Sequence, residues 1–287
     1  MRAILSRFNW SNGVGLIVIH ILALMALWPG FFSWSALIVV AAISYCTGAL
    51  GITLGYHRTL THRSLRMVRP LEYFVALLGT LAMQGDPISW VATHRAHHAH
   101  SDHKGDPHTV RLGLTWAHMQ WLIGANRHTP TGEEKKRLAP DLYAQPFYRA
   151  LTYANLPLQI ALGLILLHFG GWSWVVWGIF VRLVFTYHTT WLVNSASHSS
   201  GYRTYRTTDR STNSWWVALV SFGEGWHNNH HAFPYSARHG MAWWEIDMTW
   251  WHIKFLRFVG LVDKVRVPSM ELRERFRLSR RRSTMGG

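Results

Sequence analysis

The feature that most constrains the fold is a long stretch near the N-terminus without a charged side chain. No Asp, Glu, Lys or Arg lies between Arg7 and Arg58, and most of the residues there are apolar. A helix needs about 20 apolar residues to cross a bilayer, so the stretch is long enough for two crossings. It predicts spans at residues 14–28 and 34–56, with the Pro-Gly pair at 29–30 as the turn.

Two more charge-free runs lie between Arg149 and Arg203, on either side of Arg182. They predict spans at 153–169 and 172–193, separated by two glycines. The predicted fold is therefore an all-α integral membrane protein with four transmembrane helices in two hairpins. We treat residues 1–287 as a single domain, in which cytosolic segments 57–152 and 194–287 form a helical cap. The apolar stretch 73–83 is too short to span and is predicted to be an interfacial or re-entrant helix. Residues 243–251, which combine four tryptophans with Glu245 and Asp247, are predicted to form an interfacial segment.

The distribution of positive charge predicts the orientation. The chain has 29 Lys and Arg against 14 Asp and Glu, and neither hairpin turn contains a basic residue. Arg2 and Arg7 precede the first span, and the C-terminal tail contains the run "RLSRRRS". By the positive-inside rule both termini and the polar segments lie in the cytoplasm, facing anionic lipid. A nucleic-acid partner is not expected, because the basic residues flank the spans and no recognised binding motif is present.

Nineteen histidines are the outlier of the composition, and nine of them are grouped. The groups occur in "GYHRTLTH", "HRAHH", "NSASH" and "GWHNNHH", each at or beyond the cytoplasmic end of a predicted helix. The grouped residues are His57, His62, His94, His97, His98, His198, His227, His230 and His231. In H-x-x-H-H, positions i, i+3 and i+4 lie on one side of a helix. His57 and His62 are separated by roughly 140° on an ideal helix, so they share a metal only if the helix ends or bends between them.

Nine clustered imidazoles exceed the coordination number of one metal, which predicts a site for two. The single cysteine, Cys46, excludes a Cys-rich zinc or iron–sulfur site. A large site made of nitrogen ligands favours iron and oxygen chemistry. The other histidines are expected to have packing or hydrogen-bonding roles; they are His20, His100, His103, His108, His118, His128, His168, His188, His239 and His252.

With these motifs in this order, the chain resembles the membrane-bound fatty acyl Δ9 desaturases of the stearoyl-CoA desaturase type over about residues 33–260. The resemblance implies a di-iron centre bound by the nine grouped histidines, with Asn194 reaching a metal through water. It implies O2-dependent removal of two hydrogens from a saturated chain of about C16–C18, leaving a cis double bond at Δ9. The electrons come from a separate donor, a ferredoxin or a cytochrome b5-like protein with its reductase.

The resemblance also implies substrate-binding residues. Gln84, Trp90 and Thr190 align with residues that shape a bend in the acyl tunnel, and Tyr45 and Ala49 align with its closed end. Arg182 lies inside the fourth span, where a charge is costly. We expect it to be buried near a polar partner or the tunnel, and we include it among the substrate-binding residues.

The acyl carrier stays open between CoA and a membrane lipid. Animal acyl-CoA members of the family carry charged residues between the tryptophan and the first histidine of "HRAHH", whereas this chain has Val91, Ala92 and Thr93. Bacterial-type relatives act on acyl chains in membrane lipids, and for such a chain the expected location is the inner membrane.

Two alternative activities are compatible with the same motifs or the same composition. A di-iron hydroxylase, or a desaturase of other regiospecificity, would use the same scaffold. A His-rich metal transporter is less favoured, because it would place polar ligands at the middle of its spans.

Overall fold

The computed structural model describes residues 8–124, 126 and 128–278, and these residues are mostly helical. Arg2, Arg7 and the tail from residue 279 onward, on which the orientation partly depends, lie outside the described residues. Three apolar runs are long enough to cross a membrane: Trp10–Leu27, Trp34–Thr61 and Asn155–His198. The first consists of α1 (Trp10–Ala23) and the 3-10 turn Leu24–Leu27, and the second of α2 (Trp34–Tyr45) and the π-helical segment Cys46–Thr61.

The third run contains α9 (Asn155–Val175), the π-helical segment Val176–Val181, α10 (Arg182–Ser195) and the 3-10 turn Ala196–His198. It folds back at Gly171, whose φ of 63° and ψ of −163° are not helical. The Arg182 guanidinium donates a hydrogen bond of 2.7 Å to Gln159, 23 residues earlier. In a straight helix these residues would be about 34 Å apart. The run is therefore an antiparallel pair of helical legs, with its break at the predicted glycines.

The turns of the two hairpins pack against each other. Ser173 and the Trp177 indole both donate to the carbonyl of Phe31, at 2.8 and 2.9 Å. Trp174 donates to Ser35 at 2.9 Å. Apolar side chains on the outer faces of α1, α2 and α9 remain exposed, as expected of surfaces that face lipid; they include Ile17, Ile21, Leu24, Ile38, Leu156, Ile160, Leu164 and Phe169.

A tight helix crossing connects the second apolar run to α3 (Arg69–Leu81). A Cβ atom on Gly51 would lie 2.5 Å from the backbone of Leu78 and Gly79. A side chain at Gly51 would therefore force the two helices apart. This crossing fixes the end of the second run against the cap, where the histidines lie.

The cap consists of shorter helices around α4 (Pro87–His100). The Asp86 side chain caps α4 by accepting from the backbone N–H of Ile88 and of Ser89, both at 3.0 Å. The remaining helices are α5 (Trp121–Ile123), α6 (Gly132–Leu138), α7 (Pro140–Tyr143), α8 (Pro146–Leu151), α11 (Trp215–Val220), α12 (His227–Ala232), α13 (Met248–Phe258) and α14 (Met270–Phe276). Strands β1 (Arg66–Met67) and β2 (Val262–Asp263) pair antiparallel, with Arg66 opposite Asp263.

The two stretches predicted to be interfacial have different structures. Residues 73–83 lie largely within α3, which exposes Phe74 but packs Val75 and Ala76 into the protein. In 243–251, Trp243 is 94% exposed and Trp251 is 52% exposed.

Candidate metal centre

The nine grouped histidines meet at one place and divide into two sets. The first histidine group contains His57, His62, His94, His98 and His230; the second contains His97, His198, His227 and His231. Within each group, one ring nitrogen from every residue lies within 4.8 Å of the others. The sequence predicted the nine residues but not their division.

His57 and His62 reach the first group because the helix that carries them widens. The N–H of His62 donates to the carbonyl of His57 at 3.1 Å, an i→i+5 hydrogen bond. This bonding places residues five apart on successive turns, and their ring centroids are 4.8 Å apart. We expected the helix to end or bend between them; instead, π-helical geometry brings them together.

The two H-x-x-H-H motifs lie on α4 and α12, and each supplies both groups. In each helix the histidines at i and i+4 belong to one group and the histidine at i+3 belongs to the other. Positions i and i+4 differ by about 40° around a helix, whereas i+3 and i+4 differ by about 100°. The repeated spacing therefore allows one helix to face two neighbouring centres.

Four histidines are oriented by buried carboxylates. In three of them the Nδ1–H donates to a carboxylate oxygen, and in the fourth, His57, Nδ1 lies close to a carboxylate oxygen. In all four, Nε2 is left free to bind a metal. The pairs are His57 with Glu224 (2.6 Å), His97 with Asp106 (2.9 Å), His198 with Asp102 (2.7 Å) and His231 with Asp209 (2.6 Å). Burial alone would raise the pKa of Asp209, but hydrogen bonding from His231 and the attraction of its ring hold that pKa far below its ordinary value.

The free ring nitrogens point toward one another. The Nε2 atoms of His62, His97 and His231 are buried and have no hydrogen-bond partner among the described residues. Other Nε2 atoms face each other at 2.9 to 3.1 Å, in the pairs His57–His230, His94–His98, His98–His230 and His198–His227. Converging nitrogen lone pairs in a buried site fit metal ions.

Seven of the nine grouped histidines are held in their neutral form. Burial, followed by the charge of neighbouring histidines, lowers the pKa of His62, His94 and His97 well below 6.5. The same causes act on His227 and His230. Neutral imidazole is the form that binds metal.

Behind the first group lies a buried ionic network that the sequence did not predict. Arg58 is fully buried and donates to both Glu224 (3.1 and 3.2 Å) and Asp247 (2.9 and 3.0 Å). His239, expected to have a packing role, lies 3.2 Å from the Glu224 carboxylate, and its ring centroid is 4.5 Å from that of His230. Burial would raise the pKa of Glu224, but His57, His239 and Arg58 hold it well below its ordinary value.

The supporting carboxylates had only weak signals in the sequence. Glu224 stands three residues before His227, and Asp102 and Asp106 follow the "HRAHH" motif closely. Their place beside a histidine motif is a signal that sequence reasoning could have used. Asp209 is 22 residues from His231, its partner, and no local pattern connects them.

Two neighbouring cavities meet at the centre. The larger has a volume of about 400 Å³ and lies between α1, α10 and the start of α4; the narrower extends toward the second apolar run. Trp90, His94, Thr190 and Asn194 line both cavities. The Gln84 side chain donates to Thr190 at 2.9 Å and lines the larger one. Gln84, Trp90, Thr190 and Asn194 thus lie together beside the candidate ligands.

The far end of the narrower cavity is formed by Gly48 and Phe222. Tyr45 packs edge-on against Phe222 at 5.7 Å and bonds to His252, but it is not part of the lining. Ala49, expected at the closed end, is fully buried and also outside the lining, whereas Gly48, one residue earlier, belongs to it. Sequence reasoning missed both Gly48 and Phe222.

Arg182 has polar partners rather than a place in either cavity lining. It is fully buried and donates to the carbonyls of Gly178 (2.8 Å) and Leu81 (2.7 Å) and to Gln159. Of the two expectations for this residue, the structure matches burial beside a polar partner. Its guanidinium connects the two legs of the third apolar run to the end of α3.

Comparison with known proteins is consistent with this geometry. Residues 32–256 match the fatty acid desaturase family. The chain is 53% identical, over 91% of its length and 95% of the relative's, to the sn-1 stearoyl-lipid 9-desaturase of Anabaena variabilis.

The chain belongs to the fatty acid desaturase family.

Other relatives of this desaturase differ in their named substrates. It is 47% identical to the sn-2 palmitoyl-lipid 9-desaturase of Nostoc sp., over 90% of both chains. It is also 44% identical to the icosanoyl-CoA 5-desaturase of Limnanthes douglasii, over 90% of this chain and 72% of the relative. The relatives thus include acyl-lipid and acyl-CoA enzymes and more than one double-bond position.

Proposed function

We propose that this protein is a di-iron acyl-lipid desaturase that introduces a cis double bond at Δ9 of a saturated chain of about C16–C18. The observation that carries the proposal is the pair of histidine groups directly beside two connected cavities with mainly apolar walls. Reaction at an unactivated methylene requires a strong oxidant, which acid–base side chains do not provide. Relatives named as 9-desaturases of stearoyl- and palmitoyl-lipids support the position and the carrier.

The number and type of the candidate ligands support iron. The two groups gather nine ring nitrogens, one more than two tetrahedral sites would hold, and the closest Nε2 pairs are 2.9 to 3.1 Å apart. Zinc prefers a tetrahedral arrangement of four ligands, and imidazole also suits iron. We therefore assign two iron ions, one to each histidine group, with Asn194 reaching a metal through water.

When bound, the iron pair supplies the activation of O2 that removes two hydrogens from the chain. The protein's own residues position that chain. Trp90 stacks on His94 at a centroid distance of 5.0 Å and lines both cavities. The Gln84–Thr190 hydrogen bond fixes another part of the lining. An acyl chain that passes between them is forced to lie beside the histidine groups, and the apolar lining excludes water from the reacting carbons.

The surroundings of "HRAHH" favour a lipid over CoA as the carrier. Val91 and Ala92, at positions where animal acyl-CoA enzymes carry charged residues, are fully buried in an apolar core with Leu142 and Tyr148. Charged groups there would be costly to bury. In addition, α1 forms one wall of the larger cavity through Leu16 and Ile19. Because α1 is a candidate membrane span, a lipid can enter this cavity from the bilayer.

The proposed topology has four spans in two hairpins, with both termini and the metal centre on the cytoplasmic side and the remaining helices as a cytosolic cap. The fold-back at Gly171 supports two spans within the third apolar run. The exposed Trp243 and Trp251 support an interfacial position for 243–251. One desaturase domain covers residues 1–287. The electron donor is a ferredoxin or a cytochrome b5-like protein with its reductase.

The test is expression in a cell that lacks its own desaturase, followed by mass spectrometry of separated lipid and CoA pools. We expect new cis-Δ9 chains in the lipid pool. His230→Ala should abolish them, and His128→Ala, which changes an exposed histidine, should not. A hydroxylated product, or a double bond at another position, would overturn the Δ9 desaturase assignment. Metal flux without any oxidised lipid would instead favour a transporter.

A further inference from the structure

A third cavity reaches the metal centre from another side. It has a volume of about 400 Å³ and is lined by Val110, Gly113, Leu114, His198, Ser199, Arg203 and Arg210. None of these residues lines the two acyl cavities described above. Of the nine grouped histidines, His198 alone belongs to its lining. The cavity therefore offers a separate route from the surface to the second histidine group.

The imidazole of His198 lies between this cavity and the other members of the second histidine group. His198 Nε2 faces His227 Nε2 at 2.9 Å, on the metal side. Its Nδ1 donates to Asp102 at 2.7 Å, and the same carboxylate oxygen accepts from the backbone N–H of Arg210 at 2.8 Å. A covalent and hydrogen-bonded path thus connects the cavity wall at Arg210 to the second group through Asp102 and His198.

The rim of this cavity is positive, although carboxylates lie beneath it. Arg203 and Arg210 are exposed, and so is Arg111, which adjoins the lining residue Val110. Asp102 is fully buried and Asp209 nearly so, and both are bonded to histidines of the second group. The surface around the cavity is therefore positively charged, because the arginines are exposed and the two carboxylates are buried.

The acyl cavities have a different chemistry. No Lys or Arg occurs among their lining residues in the described part of the chain. An apolar chain is therefore expected in those cavities, whereas the positive rim of the third cavity attracts an anionic partner. The proposed reaction requires an electron donor as a partner: two hydrogens from the chain, two electrons from the donor and two protons from solvent convert O2 into two waters.

We propose that this basic cavity is the docking surface for an acidic one-electron carrier protein, with His198 as the point of electron entry. The proposal rests on the proposed function, because an oxidase of this type must receive two electrons in two encounters. Carboxylates on the carrier pair with Arg203 and Arg210 at the rim. Such pairing chiefly increases the rate of encounter, by about 10- to 1,000-fold, and it weakens as salt screens the charges.

The test uses the full chain in lipid vesicles with a plant-type [2Fe–2S] ferredoxin and its reductase. We expect Arg203→Glu/Arg210→Glu to raise the KM for ferredoxin about 10-fold or more and to remove its salt dependence. A single turnover, started by adding O2 after chemical reduction with dithionite, should proceed as in the wild type. The matched control is Arg137→Glu/Arg149→Glu, two exposed arginines elsewhere in the cap with the same change in charge; it should behave as the wild type.

An unchanged KM for ferredoxin in the double variant would overturn the docking surface. So would a loss of the single turnover in both this variant and the milder Arg203→Gln/Arg210→Gln at full iron content, because the arginines would then serve the centre itself. A raised KM for an acyl-CoA substrate, with ferredoxin unaffected, would assign the cavity to CoA phosphates. The proposed function is tested separately by the product of the wild type. A hydroxylated product, or a double bond at another position, would overturn the Δ9 desaturase assignment, but the KM for ferredoxin could still be compared between the wild type and the variants.

Discussion

The histidine centre and the acyl cavity beside it are built in different ways. In the centre, nine imidazoles come from four segments of the chain, and four of them are oriented by buried carboxylates. The cavity walls are held by contacts between single side chains and their neighbours. Gln84 donates to Thr190 and to the Thr186 carbonyl, and the Tyr187 hydroxyl donates to the Met83 carbonyl. At the far end the Phe222 ring meets Gly48.

The difference indicates which property each region controls. Every ligand of the centre depends on others nearby, so one change there should remove metal or activity. A wall made of single side chains can change shape without affecting the centre. We therefore expect substitutions in the centre to abolish the reaction, and substitutions in the cavity to redirect it to other substrates.

The largest effect should follow loss of one ligand. His62→Ala removes one of the five imidazoles of the first group and leaves the second group intact. We expect desaturation to fall below detection and iron to fall from about two ions per chain toward one. Elemental analysis of the purified protein measures the iron, with His128→Ala as the control. Full iron content with normal product would remove His62 from the ligand set.

Substitutions of two supporting carboxylates should have different effects, because Asp209 positions a histidine whereas Glu224 also stabilises the fold. Asp209→Asn weakens the orientation of His231, and we expect a 10- to 100-fold loss of metal affinity or activity. Its loss of folding stability should be smaller than that of Glu224→Gln, because Asp209 bonds to Thr207, Ser211 and His231 and not to a buried arginine. Glu224→Gln disturbs His57 and also removes a charge partner of the buried Arg58. It should lower the free energy of unfolding by about 3 kcal/mol, since breaking a buried pair leaves a charge uncompensated.

Thermal unfolding of both metal-free variants distinguishes these roles. Equal melting temperatures for Asp209→Asn and Glu224→Gln would contradict the division. Activity measured at saturating iron then reports the orienting effect of Asp209 alone, because added metal offsets weaker binding.

Acid should weaken the metal-free centre. Burial and neighbouring histidines lower the pKa of His98 to about 3. They also lower the pKa values of six other grouped histidines below 6.5, the ordinary value in an unfolded chain; these are His62, His94, His97, His227, His230 and His231. Between these values the unfolded state binds more protons than the folded state. Stability is therefore fully present above pH 6.5 and is lost as pH falls, by about 1.4 kcal/mol per pH unit for each histidine that stays neutral.

The melting temperature of the metal-free protein between pH 8 and pH 5 checks the sign. It should be nearly constant down to about pH 6.5 and fall below it. A melting temperature that rises on acidification would mean that the folded state protonates these rings more readily than the unfolded chain does. Replacing the exposed His128 with Ala should leave the profile unchanged.

The same contrast explains what the sequence could predict. Six of the nine histidines were identifiable because H-x-x-H-H occurs twice and places its histidines on one side of a helix. His57, His62 and His198 were identified by their position at the ends of predicted spans. The division of the nine into two groups depends on the packing of α4 against α12, which no local pattern records. Glu224 lies beside a histidine motif, so its role could have been predicted from the sequence. Asp209 is distant from His231 in the sequence and meets it only in the folded chain.

The closed end of the cavity was harder to predict for a physical reason. Tyr45 and Ala49 are four residues apart and would share a face of an α-helix. From Cys46 onward the helix is π-helical, and its contact with the Phe222 ring is made at Gly48. Gly48 lines the cavity, whereas Tyr45 and Ala49 do not. Phe222 lies in a turn with a positive φ of 59°, where no periodic pattern predicts its direction.

The smallest expected effect is a change of chain length at this closed end. A Cβ atom on Gly48 would lie 2.7 Å from the Phe222 ring, so the two residues are in close contact where they line the cavity. Phe222 holds its left-handed conformation while its carbonyl accepts hydrogen bonds from the backbone and hydroxyl of Thr249, at 3.2 and 3.1 Å. These bonds involve the backbone of Phe222 and remain when its ring is removed.

Phe222→Ala should therefore open the cavity and shift preference toward longer chains, by about 10-fold in the ratio of C20 to C18 products, since one or two methylenes in an apolar pocket are worth about 1–3 kcal/mol. Gly48→Ala is the reciprocal variant: its methyl group pushes on the ring, and preference should shift toward C16. Product chain lengths from mixed saturated substrates measure both. If neither variant changes the distribution, the acyl chain ends elsewhere in the protein; if both also lose iron, the cavity end and the centre are coupled, and the contrast between them fails.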